Sequence, residues 1–178
     1  MKVLYSYLFC LLFVLSCCLT SCVDNQSFDE KTSVDYDSMK ENVEKANRYL
    51  VREEREMIND YISRQGLTMT ETGTGLRYHI VKQGDTALIK TKDIVSMEYE
   101  VRLLDGEVIY SSKEFGPKVF VVGRGGVESG LEEALLHLHK GDVAEIILPS
   151  HLAFGLLGDG DRIPPKSALV YKVKIINN

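Results

Sequence analysis

Four histidines, an Asp-Gly-Asp triplet and a glycine-rich turn are the residues of this chain whose types suggest familiar chemistry, and their spacing argues against each. A metal needs imidazoles that converge on one point. His137 and His139 stand two apart in a stretch of helical pattern and so diverge, with His79 and His151 far off in sequence, and no metal is expected. Asp159-Gly160-Asp161 has the opening of a calcium loop but lacks the distal Glu that completes one, so it reads as a loop turn. Gly123-Arg124-Gly125-Gly126 precedes a helical pattern as a phosphate cradle would, yet no Lys-Ser/Thr follows, and a tight turn presenting Val127 and Glu128 is sufficient. Cys10, Cys17, Cys18 and Cys22 all lie at the start of the chain, so disulfides and thiolate-held metals are excluded beyond it.

A different pattern fills the C-terminal part. Val127-Glu128-Ser129-Gly130-Leu131-Glu132-Glu133-Ala134-Leu135 is followed by Gly141-Asp142, His151-Leu152-Ala153-Phe154-Gly155, Ile163-Pro164-Pro165 and Ala168-Leu169-Val170-Tyr171. Tyr99, Leu103, Asp105-Gly106 and Ser111-Ser112 come before them. This order resembles the FKBP-type peptidyl-prolyl isomerases, over many correctly spaced pieces rather than one short motif. The resemblance implies an α+β fold: an FKBP-like antiparallel half-barrel sheet wrapped around one short helix. The pocket would lie between that helix and the concave sheet, closed by the loop from Gly155 to Pro165.

On that precedent Tyr99, Tyr110 and Phe154 are the catalytic positions, and Ile109, Val127, Glu128, Leu131, Ile163 and Tyr171 bind substrate. Tyr99 matches the family's floor tyrosine and Tyr171 its wall phenylalanine, while Ile109 replaces a usual Phe and Leu131 a Trp. Glu128 stands where a backbone N–H meets the substrate carbonyl. Two departures weaken the polar part of the site. Tyr110 replaces an Asp, and Phe154 replaces a Tyr whose hydroxyl bonds a substrate carbonyl. Lys118 and Arg162 replace apolar residues and make the rim more basic.

The implied reaction needs neither nucleophile nor cofactor. An X-Pro bond is only weakly biased between cis and trans, and its obstacle is a rotational barrier of about 18–20 kcal/mol set by amide resonance. A dry apolar hole that holds the proline ring and disfavours the resonance-stabilised planar amide lowers that barrier by differential binding. Losing one polar contact costs about 0.5–1.5 kcal/mol, a few-fold to tenfold in rate, so the expectation is slowed catalysis that Phe154→Tyr would raise and Tyr110→Asp together with Phe154→Tyr would raise further. A reading from another class stays open: a catalytically degenerate binding module that serves as chaperone or scaffold.

The elements that must position these residues are legible as periods. Leu76 to Val81 and Ile94 to Leu104 read as strands, the second with Val95, Met97, Tyr99, Val101 and Leu103 on its buried face and Ser96, Glu98, Glu100 and Arg102 on its wet one. Leu104-Asp105-Gly106-Glu107 is a hairpin turn. Lys118 to Val122 is a short strand, Glu128 to His139 a helix ended by Gly141, and Val143 to Leu148 and Leu169 to Ile176 the last two strands. Strands flanking one short helix make an α+β arrangement in which each apolar face finds a cover.

Ahead of this domain, Met1-Lys2, the apolar run from Val3 to Leu15 and Leu19-Thr20-Ser21-Cys22 resemble a bacterial lipoprotein signal, with Cys22 the lipidated residue after cleavage. The expected divisions are 1–21 lipoprotein signal peptide, 22–34 tether, 35–66 N-terminal helical segment and 67–178 FKBP-like domain. Tyr36, Met39, Val43, Ala46, Leu50, Met57, Ile58, Tyr61 and Ile62 recur at three- and four-residue steps. That stripe fits either a homodimer stalk or a helix, whole or split in two, packed on its own domain, because Glu53 and Asp60 interrupt the seam. With 178 residues, 44% of them hydrophobic, a net charge of −5 and no dense basic run, nucleic acid is not an expected partner. The expected partners are proline-containing exported polypeptides and, through the lipid, a membrane of the cell envelope.

Overall fold

A computed structural model describes residues 29–84 and 87–176, with side chains described from Tyr36 onward. The expected leader, its acceptor Cys22 and the first part of the tether fall outside the described residues. Two compact units divide the chain, 1–47 and 48–178. In the first, the described residues are helical, and Tyr36, Met39 and Val43 are exposed.

The helix to which they belong, α1, runs Asp29–Gln65. It begins before the expected Asp35, and its last turns belong to the second unit. The compact unit that holds the sheet begins at Arg48, for a reason of packing. Ile58 and Tyr61 are buried with Ile147, Ala168 and Val170, while Met57, expected in the same stripe, is exposed. Glu54 is buried too, and its Oε1 accepts the Ser150 N–H at 2.7 Å, tying the helix to the chain just after a strand.

Seven strands form one antiparallel sheet: β1 Thr70–Glu71, β2 Arg77–Lys82, β3 Ile94–Leu103, β4 Val108–Ser111, β5 Lys118–Val121, β6 Val143–Leu148 and β7 Leu169–Ile176. Their order is β1-β2-β6-β7-β3-β4, with β5 pairing on β3. Short helices α2 (Ser112–Phe115) and α3 (Ser129–Leu135) complete the second unit, with a 3₁₀ turn at Ser150–Leu152. The expected helix from Glu128 to His139 is thus shorter, because the chain turns away after Leu135 and brings Leu138 into the core.

Side-chain alternation explains why β6 and β7 are apolar almost throughout. Ile146 and Leu148, with Leu169, Tyr171 and Val173, join the main core beneath α3. Ile147 and Val170 point to the other face, where Ile58 and Tyr61 cover them. A strand buried on both faces loses the polar-apolar alternation that β3 retains. Helix α3 lies close on the sheet because of Gly130, where a Cβ would stand 2.8 Å from Leu152 Cβ and 2.9 Å from Leu148 Cδ2. Leu131, Ala134 and Leu135 then enter the core with no exposed surface.

Candidate functional site

Strand register assembles the site. Val101 lies opposite Tyr110 on β4 and opposite Tyr171 on β7, so three residues far apart in sequence form one row on one face. Tyr99, two residues before Val101, shares that face. Lys118 on β5 lies opposite Met97, one further step along it. Opposite Val101 and Arg102 the register slips by one residue, so Ile109 is the extra residue of a bulge in β4. The Ser112 hydroxyl accepts the Tyr99 N–H at 3.2 Å beside it.

A cavity of about 390 Å³ opens over this row, lined by Tyr99, Val101, Tyr110, Phe115, Lys118, Glu128, Phe154, Asp159 and Tyr171. Five positions expected from the sequence, Tyr99, Tyr110, Glu128, Phe154 and Tyr171, therefore share one wall. Ile109, Leu131 and Ile163 do not line it; they are buried in the core with which these walls are continuous. Val127 is partly buried against the same core. A wider cleft of about 540 Å³ lies between the Val51–Ile58 part of α1, the β1–β2 hairpin and Pro149. Polar groups that line it are already engaged: Arg55 with Glu71 at 2.6 Å, Arg77 with Asn59 at 3.1 Å, and Thr74 with Glu133 at 2.8 Å.

The most consequential contact is one that spacing did not predict. The Tyr110 hydroxyl donates a short hydrogen bond to Asp159 Oδ2, while Asp159 Oδ1 accepts the N–H groups of Asp161 at 2.9 Å and Ile163 at 2.8 Å. Asp159 is thus a loop turn, as expected, and also a wall of the cavity. The position that lost an acid gained a phenol long enough to reach an acid on the closing loop. Gly158 permits that loop, since it has φ +71° and a Cβ there would lie 2.0 Å from the Ile163 carbonyl oxygen. Arg162 completes the closure. It donates to the Ile109 carbonyl at 3.1 Å, pairs with Glu114 at 3.0 Å, and stacks 5.4 Å from the Tyr110 ring and 5.5 Å from that of Phe115.

Protonation follows from these neighbours. The bond to Asp159, with burial second, pushes the Tyr110 hydroxyl up to about 12. Burial alone would raise the Asp159 carboxyl, but the Tyr110 hydroxyl and the loop N–H groups outweigh it and hold it below the ordinary value. Burial and then the Glu128 carboxylate raise the Tyr99 hydroxyl, while burial, the Glu128 charge and a hydrogen bond to Glu128 raise that of Tyr171 well above its ordinary value. All three phenols are therefore neutral at physiological pH, and the cavity presents aromatic faces with neutral hydroxyls. Lys118 Nζ stands 5.1 Å from the centre of the Tyr99 ring.

The histidines have local duties. His137 stacks on Tyr78 at 5.0 Å, the His139 N–H bonds Asp142 at 2.7 Å, and His151 Nε2 lies 3.1 Å from the Thr74 carbonyl oxygen. Asp159, Phe115 and Val101 were missed as wall residues. Tyr110 on a strand facing the cavity was the available signal for Asp159, because a phenol there needs an acceptor at its tip.

The family model described as FKBP-type peptidyl-prolyl cis-trans isomerase matches residues 85–176. A "Probable FKBP-type peptidyl-prolyl cis-trans isomerase FkpA" of Neisseria meningitidis is 42% identical over 106 residues, covering 59% of this chain and 38% of that protein. An "FKBP-type 22 kDa peptidyl-prolyl cis-trans isomerase" of Escherichia coli is 35% identical over 120 residues, 67% of this chain and 56% of that one. The chain thus spans only about half the length of these relatives or less. A crystal structure of a peptidyl-prolyl cis-trans isomerase from Pseudomonas syringae superposes with a TM-score of 0.62 at 25% identity, over 73% of this chain and 93% of that one.

Proposed function

The chain belongs to the FKBP-type peptidyl-prolyl cis-trans isomerases, and from that premise we propose that its second unit turns X-Pro bonds between cis and trans in exported polypeptides. The observation that carries this reading is the cavity itself, walled by the rings of Tyr99, Phe115, Phe154 and Tyr171 and by Val101. Rotation about an amide requires loss of resonance, and a site that excludes water from the carbonyl removes the solvation that favours the planar form. Phe154 supplies ring surface but no hydroxyl, and the Tyr110 proton is committed to Asp159. The neutral Tyr99 hydroxyl and the Lys118 ammonium are side-chain donors on this wall, while the Tyr171 hydroxyl is engaged by Glu128. Val127, Leu131, Ile109 and Ile163 support the cavity from the core, and the Glu128 N–H is the proposed partner of a substrate carbonyl.

The absent Phe154 hydroxyl and the engaged Tyr110 favour a second reading, a binding module acting as chaperone or scaffold. A protease-coupled isomerisation assay on the protein separates them: acceleration of cis-to-trans conversion in a short X-Pro peptide is expected. Binding of that peptide without acceleration would leave the module and remove the enzyme.

The same reading puts the protein in the cell envelope, lipidated at Cys22 and paired through α1. Leu19-Thr20-Ser21-Cys22 supports the first, and the exposed Tyr36, Met39 and Val43 support the second. No helix among the described residues is long and apolar enough to cross a membrane. Intact-mass measurement and light scattering on the native protein test both, the expected result being an acylated Cys22 terminus and a dimer. An unmodified terminus sinks the anchor, and a monomeric mass sinks the pairing.

A further inference from the structure

Glu128 brings a carboxylate to a cavity otherwise walled largely by rings. It borders that cavity beside Tyr99 and Tyr171, and its Oε2 is buried with no hydrogen-bond partner meeting normal geometry among the described residues. A buried carboxylate oxygen without a full complement of donors is unfavourable, so a donor or cation arriving with a ligand gains more here than it would in water. Glu128 already opposes the ionisation of both phenols, that of Tyr99 by its charge and that of Tyr171 by its charge and a hydrogen bond, which leaves the carboxylate negative and one of its oxygens short of donors.

The other charges around the cavity are differently placed. Asp159 is satisfied by Tyr110 and by the N–H groups of Asp161 and Ile163. Arg162 is engaged with Glu114 and the Ile109 carbonyl. Lys118 lies over the Tyr99 ring, and it is the one cation among the lining residues against the carboxylates of Glu128 and Asp159. The wall therefore keeps an excess of one negative charge in a setting where Val101, Phe115 and Phe154 lower the local dielectric.

We propose that Glu128 makes this pocket discriminate by charge, taking proline segments with a lysine or arginine adjacent to the proline in preference to those with a glutamate or aspartate there. The proposal rests on the isomerase reading for its substrate class. A cationic neighbour compensates the excess charge, whereas an acidic neighbour adds a third carboxylate to it. Glu128 is thus a specificity-determining residue, through its side chain as well as its backbone.

The test uses two peptide series, with Lys, Leu or Glu directly before the proline in one and directly after it in the other. In at least one series the parent protein should favour Lys over Glu by about tenfold in kcat/KM at low salt, with Leu between. Glu128→Gln should bring the Lys:Glu ratio close to one, and Lys118→Met should widen it. Glu128→Asp, which keeps the charge, should retain the preference. A parent without preference in either series, or a ratio that Glu128→Gln leaves unchanged, overturns the proposal. If Glu128→Gln fails to fold, the Lys118→Met ratio decides, and a ratio that does not widen overturns it. Should the parent turn over none of the peptides, the isomerase reading fails separately. Calorimetric Kd values for the same peptides then carry the same expected ratios and the same refutations.

Discussion

Leu131→Ala should lower the unfolding free energy by about 2–5 kcal/mol and Tm by roughly 8–20 °C for a unit of this size. Leu131 has no exposed surface, lies in the core next to Ala134 and Leu135, and sits on a helix that Gly130 already holds as close to Leu148 and Leu152 as a backbone allows. The helix cannot sink to fill the space that truncation leaves, so the cavity penalty adds to the lost transfer free energy. Leu131→Met, which keeps the volume, should cost less than about 1.5 kcal/mol. Urea unfolding of the three proteins is the measurement. A loss below about 1 kcal/mol for the Ala variant would mean that α3 is free to move, and with it Glu128 at its start.

The second large effect concerns the loop that closes the cavity. Asp159→Ala removes the acceptor of three donors at once and should lower kcat/KM by about 10- to 100-fold, because the loop then keeps only the Arg162 contacts to hold it over the cavity. Tyr110→Phe, which removes one of the three, should cost a few-fold to tenfold. Tyr110→Asp, expected from the family resemblance to raise activity, should now lower it. It removes the donor to Asp159 and adds a negative charge to a wall that already has an excess. Phe154→Tyr keeps its expected gain, about tenfold or less, since nothing opposes a hydroxyl there by charge. A kcat/KM series over these variants decides the matter, and an undiminished Asp159→Ala enzyme would exclude the latch.

The latch also has a pH window. Asp159 is held below its ordinary value of 3.8, so its stabilising contribution is complete above that value and is lost as pH falls through the lower, folded one. Tyr110 is raised from 10.0 to about 12, so its contribution is complete below 10 and is lost as pH rises through about 12. Between those limits the contact is intact, and Asp159→Ala should weaken least, relative to the parent, in strong acid.

How much of this was legible depends on the range of the interaction. Periodicity located the long strands because β3 alternates, with Met97, Tyr99 and Val101 buried and Glu98 exposed between them. The end of α3 was misplaced because Leu138 continues the apolar spacing after the helix has turned, and burial rather than helicity accounts for it. Strand β1 is only two residues long, too short to carry a period at all. The family motifs named nine site positions, but motif order cannot say which of them face a cavity and which lie beneath it. Ile109, Leu131 and Ile163 are buried in the core and are not among the residues that line the cavity.

By itself the amino-acid sequence determined five of the seven described strands, missing β1 and β4, together with the turn at Asp105-Gly106, the absence of thiols beyond residue 22 and the ordered motifs of the isomerase family. These follow from local period, turn chemistry and residue order, which need no knowledge of distant contacts. Only the tertiary structure decided that α1 contributes Ile58 and Tyr61 to the folded unit, since an apolar stripe does not say what covers it. Only it aligned Tyr110, Val101 and Tyr171 in one row, because register is a relation between strands. The pairing of Tyr110 with Asp159 belongs to the same class: the two are 49 residues apart and meet because the sheet presents one and the Gly158 turn presents the other.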